Sequence, residues 1–206
     1  MGINAKLQEV RAYPVRKSIT VDLLISFGVI LLGALLGYIA KASDSISFIG
    51  DLGTELGVWV FIAALVAVYS RYPYTAAINI MLFFLSMLAS YYLYGQLVLG
   101  FFPKAYFMGW LVISILSPFA GFLIWFAKGK GYIGAIASAL PISVLFAWGY
   151  PFFYTRRPVL LFTLCFGVIL CILLPKTLYQ KAGAFGLSIL FAFIIVQLKL
   201  ISYLPW

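Results

Sequence analysis

Residues 19–40 read ITVDLLISFGVILLGALLGYIA, a run of 22 residues whose single charge, Asp22, lies near its start. At about 1.5 Å per residue, a helix of this length crosses a hydrocarbon core of about 30 Å. The residues before it are basic, with Lys6, Arg11, Arg16 and Lys17 against one acid, Glu9. A basic segment ahead of an apolar run also describes a signal peptide. This run is too long for the apolar part of one, and Gly37-Tyr38-Ile39-Ala40 makes a poor cleavage site. It reads as a retained first span, with residues 1–18 as a cytoplasmic basic segment and 19–206 as one transmembrane helical domain.

Six more apolar runs follow, at 53–69, 74–94, 108–127, 131–148, 158–174 and 182–204. The fold class is therefore an all-α polytopic bundle of seven spans, or six if the short run 158–174 does not cross. That run is bounded by Arg156-Arg157-Pro158 and Pro175-Lys176, where proline starts or stops a helix and the cations prefer water. The connections are short, so successive helices are antiparallel.

Composition agrees. Of 206 residues, 65% are hydrophobic and 9% charged, and the mean hydropathy is +1.12. A soluble domain runs at about 45–50% apolar and about 25% charged, so a soluble globular protein is excluded. The net charge of +9 would suggest nucleic acid in a soluble chain. Here the cations sit in the breaks between apolar runs, where they set orientation, and no nucleic-acid partner is expected. With the N-terminus inside, the inner segments carry Lys6, Arg11, Arg16, Lys17, Arg71, Lys128, Lys130, Lys176 and Lys181. The outer segments carry Lys41, Lys104, Arg156, Arg157 and Lys199. The excess favours an N-inside topology.

The chain has no His, which removes the commonest general base and metal ligand. Of the five acids, only Asp22 and Glu55 fall inside apolar runs, at opposite ends of the membrane, so they cannot form an aspartyl dyad. Catalytic residues, metals and cofactors are not expected, nor is an enzyme. Lys199 has no mid-helix acid to serve as a retinal counter-ion, which excludes a chromophore. Cys165 and Cys171 are six apart on one run and face different ways.

The candidate ligand-binding residues come from three places. Asp44, Asp51 and Glu55 gather in the first outer connection, and Glu55 with Trp59 is spaced i, i+4. The pair reads either as an ordinary helix start or as an acidic, aromatic rim for a cation. In the third run Asn79, Ser86, Ser90 and Tyr94 form a polar stripe, expected to face the bundle as interhelical hydrogen bonds or a cavity wall. Pro118 and Pro141 fall mid-span at matching depth, freeing the carbonyls of Ser114 and Ala137. Ser114 and Ser138 flank these breaks, as do Ser117 and Ser143. Transporters place solute sites at such interruptions, although kinks also occur without transport. Trp110 and Trp59 are the aromatics least readily assigned to interfacial belts.

Small residues mark close packing, either within the chain or with a partner. Gly28, Gly33 and Gly37 lie on the first run, and Gly134 to Ala139 on the fifth. The expected partners are the lipid bilayer, a small-molecule ligand, and a membrane protein or second copy at these small-residue faces.

Several patches together resemble an uncharacterised family of bacterial multi-pass membrane proteins, a domain of unknown function. They are Asp51-Leu-Gly-Thr-Glu-Leu-Gly-Val-Trp59, Ser70-Arg-Tyr-Pro-Tyr-Thr-Ala-Ala77, Ser90-Tyr-Tyr92, Trp110 and Ser117-Pro118. The resemblance implies a bacterial inner membrane and carries no activity. The sequence leads to a small-solute transporter or substrate-binding membrane subunit, with a non-transporting structural or partner-binding subunit as the alternative.

Overall fold

The computed structural model describes residues 3–13, 19–44 and 47–203. Among them there is no strand. The helices are α1 (Ile3–Val10), α2 (Ile19–Ala42), α3 (Ser47–Thr54), α4 (Leu56–Tyr69), α5 (Pro73–Leu99), α6 (Lys104–Trp125), α7 (Gly131–Gly149), α8 (Phe152–Thr155), α9 (Pro158–Leu173) and α10 (Leu178–Gln197). Five of these, α2, α5, α6, α7 and α10, are long and apolar enough to cross a membrane, which makes this a multi-pass membrane protein. The apolar helices α4 and α9 have 14 and 16 residues, about 21 and 24 Å of rise.

Helix ends follow local chemistry. Pro73 opens α5, where its missing N–H would be unpaired anyway, and Thr75 accepts from the Tyr72 backbone N–H. Gly100 closes α5 in the left-handed conformation, φ 66°. Thr177 and Gln180 form a reciprocal cap at the start of α10. The seventh run ends earlier than its composition suggests, because Lys199 takes a positive φ of 52° and the chain turns into a short 3-10 segment.

Two groups of three helices make the bundle. In one, α5 packs between α2 and α6; in the other, α7 packs between α9 and α10. Helix α4 is wedged between the groups and touches α5, α6, α7 and α9. Its Ala63, Ala64, Ala67 and Val68 are buried, so its neighbours shield it from lipid. Sequence neighbours α6 and α7 meet only along a narrow strip, and an apolar cleft of ≈ 770 Å³ opens between them.

The α1 end of the bundle is tied by one side chain. Arg11 donates to the backbone carbonyls of Trp125 and, at 2.7 Å, Val68, in the last turns of α6 and α4. Its guanidinium lies 4.2 Å from the centre of the Trp125 ring. A cation is favoured at helix C-termini, and here one cation serves two. Burial pulls the Arg11 pKa down to about 10, still far above neutral pH. Tyr13 packs edge-on against both Tyr72 and Trp125, and the Lys130 N–H donates to the Val10 carbonyl at 2.8 Å. The described part of the basic N-terminal segment is thus docked against the bundle. Residues 14–18, with Arg16 and Lys17, lie outside the described residues.

Two of the first-span glycines are consumed by packing within the chain. A methyl group added at Gly33 or Gly37 would collide with the α5 backbone at Phe83 and Met87, whereas Gly28 has open space around it. Gly37→Ala is therefore expected to destabilise the protein by about 1–3 kcal/mol through overpacking. Gly28→Ala should leave the melting temperature in detergent unchanged or slightly raised. Equal melting temperatures for the two variants would show that α2 and α5 do not pack through Gly37.

Candidate functional site

At the end of the bundle away from α1, the chain breaks between α3 and α4. Gly50 and Gly53 let α3 fold back along the last turns of α2, where a methyl at Gly53 would lie 3.0 Å from the Ala40 Cα. The backbone at Glu55 is extended, φ −68° and ψ 128°, so Glu55 stands just before α4. Two indoles close the break. Trp59 Nε1 donates to the Gly53 carbonyl at 2.8 Å, and Trp148 Nε1 donates to Glu55 Oε2 at 2.6 Å. Thr54 donates its hydroxyl hydrogen to the Gly50 carbonyl at 2.9 Å.

Beside this break is a cavity of ≈ 370 Å³ bounded by α2, α4, α5 and α6. Volumes of this order hold small organic ligands. Trp59 and Trp110 meet edge to face at one wall, ring centroids 5.8 Å apart. Tyr91, Tyr92, Phe101 and Tyr106 also line it, with Ser114 and Ile113 on the α6 side. Tyr92 is buried and steadied by edge contacts with Phe102 and Phe107, at 5.7 and 5.3 Å. Among the described residues, one charged side chain lines the cavity. Lys41, at the end of α2, is 2.5 Å from Asp44 and 5.1 Å from the centre of the Tyr91 ring.

Three of the residues singled out from the sequence therefore meet here: Trp59, Trp110 and Ser114. Glu55 does not face the same way as Trp59. The i, i+4 relation requires both to be helical, and Glu55 is extended and turned to Trp148.

The polar stripe of α5 faces α2. Asn79 is buried; it accepts from Ser26 at 2.7 Å and donates to Ser70 at 3.2 Å. Ser70 in turn offers its carbonyl to Trp125 Nε1 at 3.0 Å. Ser86 lies against Gly33, and Tyr94 packs edge-on to Tyr38 at 5.3 Å. Ser86 and Ser90 line a shallow groove between α2 and α5.

Pro141 belongs to a third place, the apolar cleft between α6 and α7, which Ser117 and Phe119 on either side of Pro118 also line. The carbonyl of Ser114, freed by Pro118, accepts the Ser117 hydroxyl at 2.7 Å. Ser143 donates to the Leu140 carbonyl at 2.8 Å, and Ser138 to Gly134 at 2.7 Å and Ala127 at 3.3 Å. These hydroxyls are spent on backbone, and α5 contributes Ile80 and Phe84 to the cleft rather than its polar stripe.

Sequence reasoning missed Lys41, Tyr91, Tyr92 and Tyr106. Tyr91-Tyr92 near a span end carries the ordinary signature of an interfacial belt. No spacing rule brings Lys41 to Tyr91, because the two lie on different helices.

Asn79→Leu is expected to lower the melting temperature by an amount equivalent to about 1–3 kcal/mol, since it strips partners from Ser26 and Ser70. Binding at the aromatic cavity should be unchanged per folded molecule. Unaltered stability would show that the Ser26–Asn79–Ser70 chain contributes nothing.

No protein-family model, curated protein or solved structure matches this chain.

Proposed function

We propose that this protein binds a small solute within the membrane, as a transporter or as the substrate-binding subunit of one, and that it is not an enzyme. The observation that carries this reading is the aromatic cavity at the α3/α4 break. An interrupted helix whose free ends border a cavity is the arrangement by which transporters present backbone and aromatic groups to a solute. The opposite end of the same helices is tied by Arg11 on α4 and α6, whereas the cavity borders the end that carries Lys41, Thr54 and Tyr106.

In this reading the chain makes seven crossings. Helix α9 crosses alone, and α3 with α4 supplies the second crossing as a broken path of residues 47–69. The α1 end lies inside a bacterial cell membrane, the inner or plasma membrane, and the cavity opens outward. The cation count favours this orientation, and the resemblance of the Asp51–Trp59 and Ser70–Ala77 patches to bacterial multi-pass proteins accords with it.

A second reading, a subunit that binds a partner helix, is favoured by the ≈ 770 Å³ apolar cleft between α6 and α7. The described side chains around it are almost wholly apolar, so a solute needing hydrogen bonds is better served by the cavity.

The purified protein should carry a small molecule in a native mass spectrum, and Trp110→Ala should lose it. A wild-type spectrum with lipid alone, together with a partner protein retained on purification, would favour the second reading. Orientation is tested in a background lacking Cys165 and Cys171. A cysteine at Tyr106 should react with an impermeant maleimide on intact cells, while one at Lys130 should stay protected until the membrane is opened. Reaction at Lys130 in intact cells would reverse the topology.

A further inference from the structure

We infer that the cavity takes a small aromatic amphiphile with one anionic end, its ring between Trp59, Trp110 and Tyr92 and its carboxylate at Lys41 and Tyr91. This rests on the cavity being a solute site and goes on to name the chemical class of the solute.

A cage of indoles and phenols favours a cation through its ring faces. A cation site in a low-dielectric wall also needs an anionic partner, and none of the described lining residues is an acid. Asp44 is engaged by Lys41, and Glu55 is engaged by Trp148. The charged group that does line the cavity is the Lys41 ammonium. An ammonium has three donors, of which Asp44 takes one and the Tyr91 oxygen a second, leaving one for a ligand. Its neighbour Tyr91 can donate a phenolic hydrogen to the same carboxylate.

Size and shape set the body of the ligand. The ≈ 370 Å³ volume equals about a dozen waters at liquid density, room for one ring system and a short tail. The edge-to-face pair of Trp59 and Trp110 presents ring surface against which a planar group packs. The hydroxyls of Thr54 and Ser114 are already donated to the Gly50 and Trp110 carbonyls, so the ring end of the cavity offers few donors.

The test uses three probes of one body and different heads: 3-phenylpropionate, 3-phenylpropanol and 3-phenylpropylamine. Each is titrated calorimetrically into the full chain in a neutral detergent. The propionate is expected to bind about tenfold more tightly than the amine, the ratio that one charge-assisted hydrogen bond supplies. Lys41→Gln should abolish that ratio, and Asp44→Asn, which releases the ammonium, should strengthen the propionate. Trp110→Ala should weaken all three, and so should Gly95→Val, which adds bulk to the wall and guards against a Trp110 variant that does not fold.

Equal affinity for the three heads, or a preference for the amine, would overturn the anionic class while leaving the cavity as a solute site. A propionate preference that survives Lys41→Gln would remove Lys41 from it. Binding of all three untouched by both wall variants would overturn the cavity itself. No saturable binding of any probe would overturn the aromatic class.

Discussion

In hydrocarbon, a carbonyl deprived of its helical donor has no water to turn to, so each interruption of a helix must be closed by the protein itself. The break between α3 and α4 answers this constraint with the Trp59 indole on the Gly53 carbonyl, while the Trp148 indole meets the Glu55 carboxylate beside it. At Pro118 the Ser117 hydroxyl takes the carbonyl that proline leaves open. The two solutions have different consequences. A serine bonded within its own turn seals the backbone and leaves an apolar cleft. The Trp59 indole, reaching back across a break, brings a large flat ring to the wall of a cavity. The aromatic site is thus a by-product of how the broken helix is satisfied.

The other end of the same helices meets the constraint with charge. The last-turn carbonyls of α4 and α6 are unpaired by the rules of the helix, and Arg11 donates to one from each. Hydrogen bonds to a charged donor contribute about 1.5–3 kcal/mol each, and the planar guanidinium also lies over Trp125. Because α4 and α6 also carry Trp59 and Trp110, the clamp at one end bears on the spacing of the indoles at the other. The Ser26–Asn79–Ser70 chain extends the clamp sideways, joining α2 and α5 to the residue whose carbonyl holds Trp125. A docked N-terminal segment, two helix ends and a buried amide form one connected polar layer beneath an otherwise apolar bundle.

The candidate residues divide along the same lines. Asn79, Ser117 and Ser138 are polar groups that close the protein's own hydrogen bonds, the ordinary condition of polar side chains in a membrane helix. Trp59 combines that structural work with a place at a cavity wall, which it shares with Trp110. A polar residue in an apolar run signals only that a partner is needed; it does not reveal whether the partner is backbone, another side chain or a ligand.

What the sequence determined by itself was the class of protein and the course of the chain. Apolar run length against bilayer thickness, proline and glycine at helix ends, and cations in the breaks all act within a few residues, and most helices begin or end near those signals, the α3/α4 break and the early end of α10 excepted. The pairing of α2 with α5, the central place of α4, and the extended backbone at Glu55 were decided only by the tertiary structure. Each depends on which helical faces interlock, and nearly uniform apolar surfaces do not encode this as a periodicity. Lys41 reaches Tyr91 for that reason alone: Gly33 and Gly37 allow α2 to lie close along α5, and no local rule connects residues that far apart in the chain.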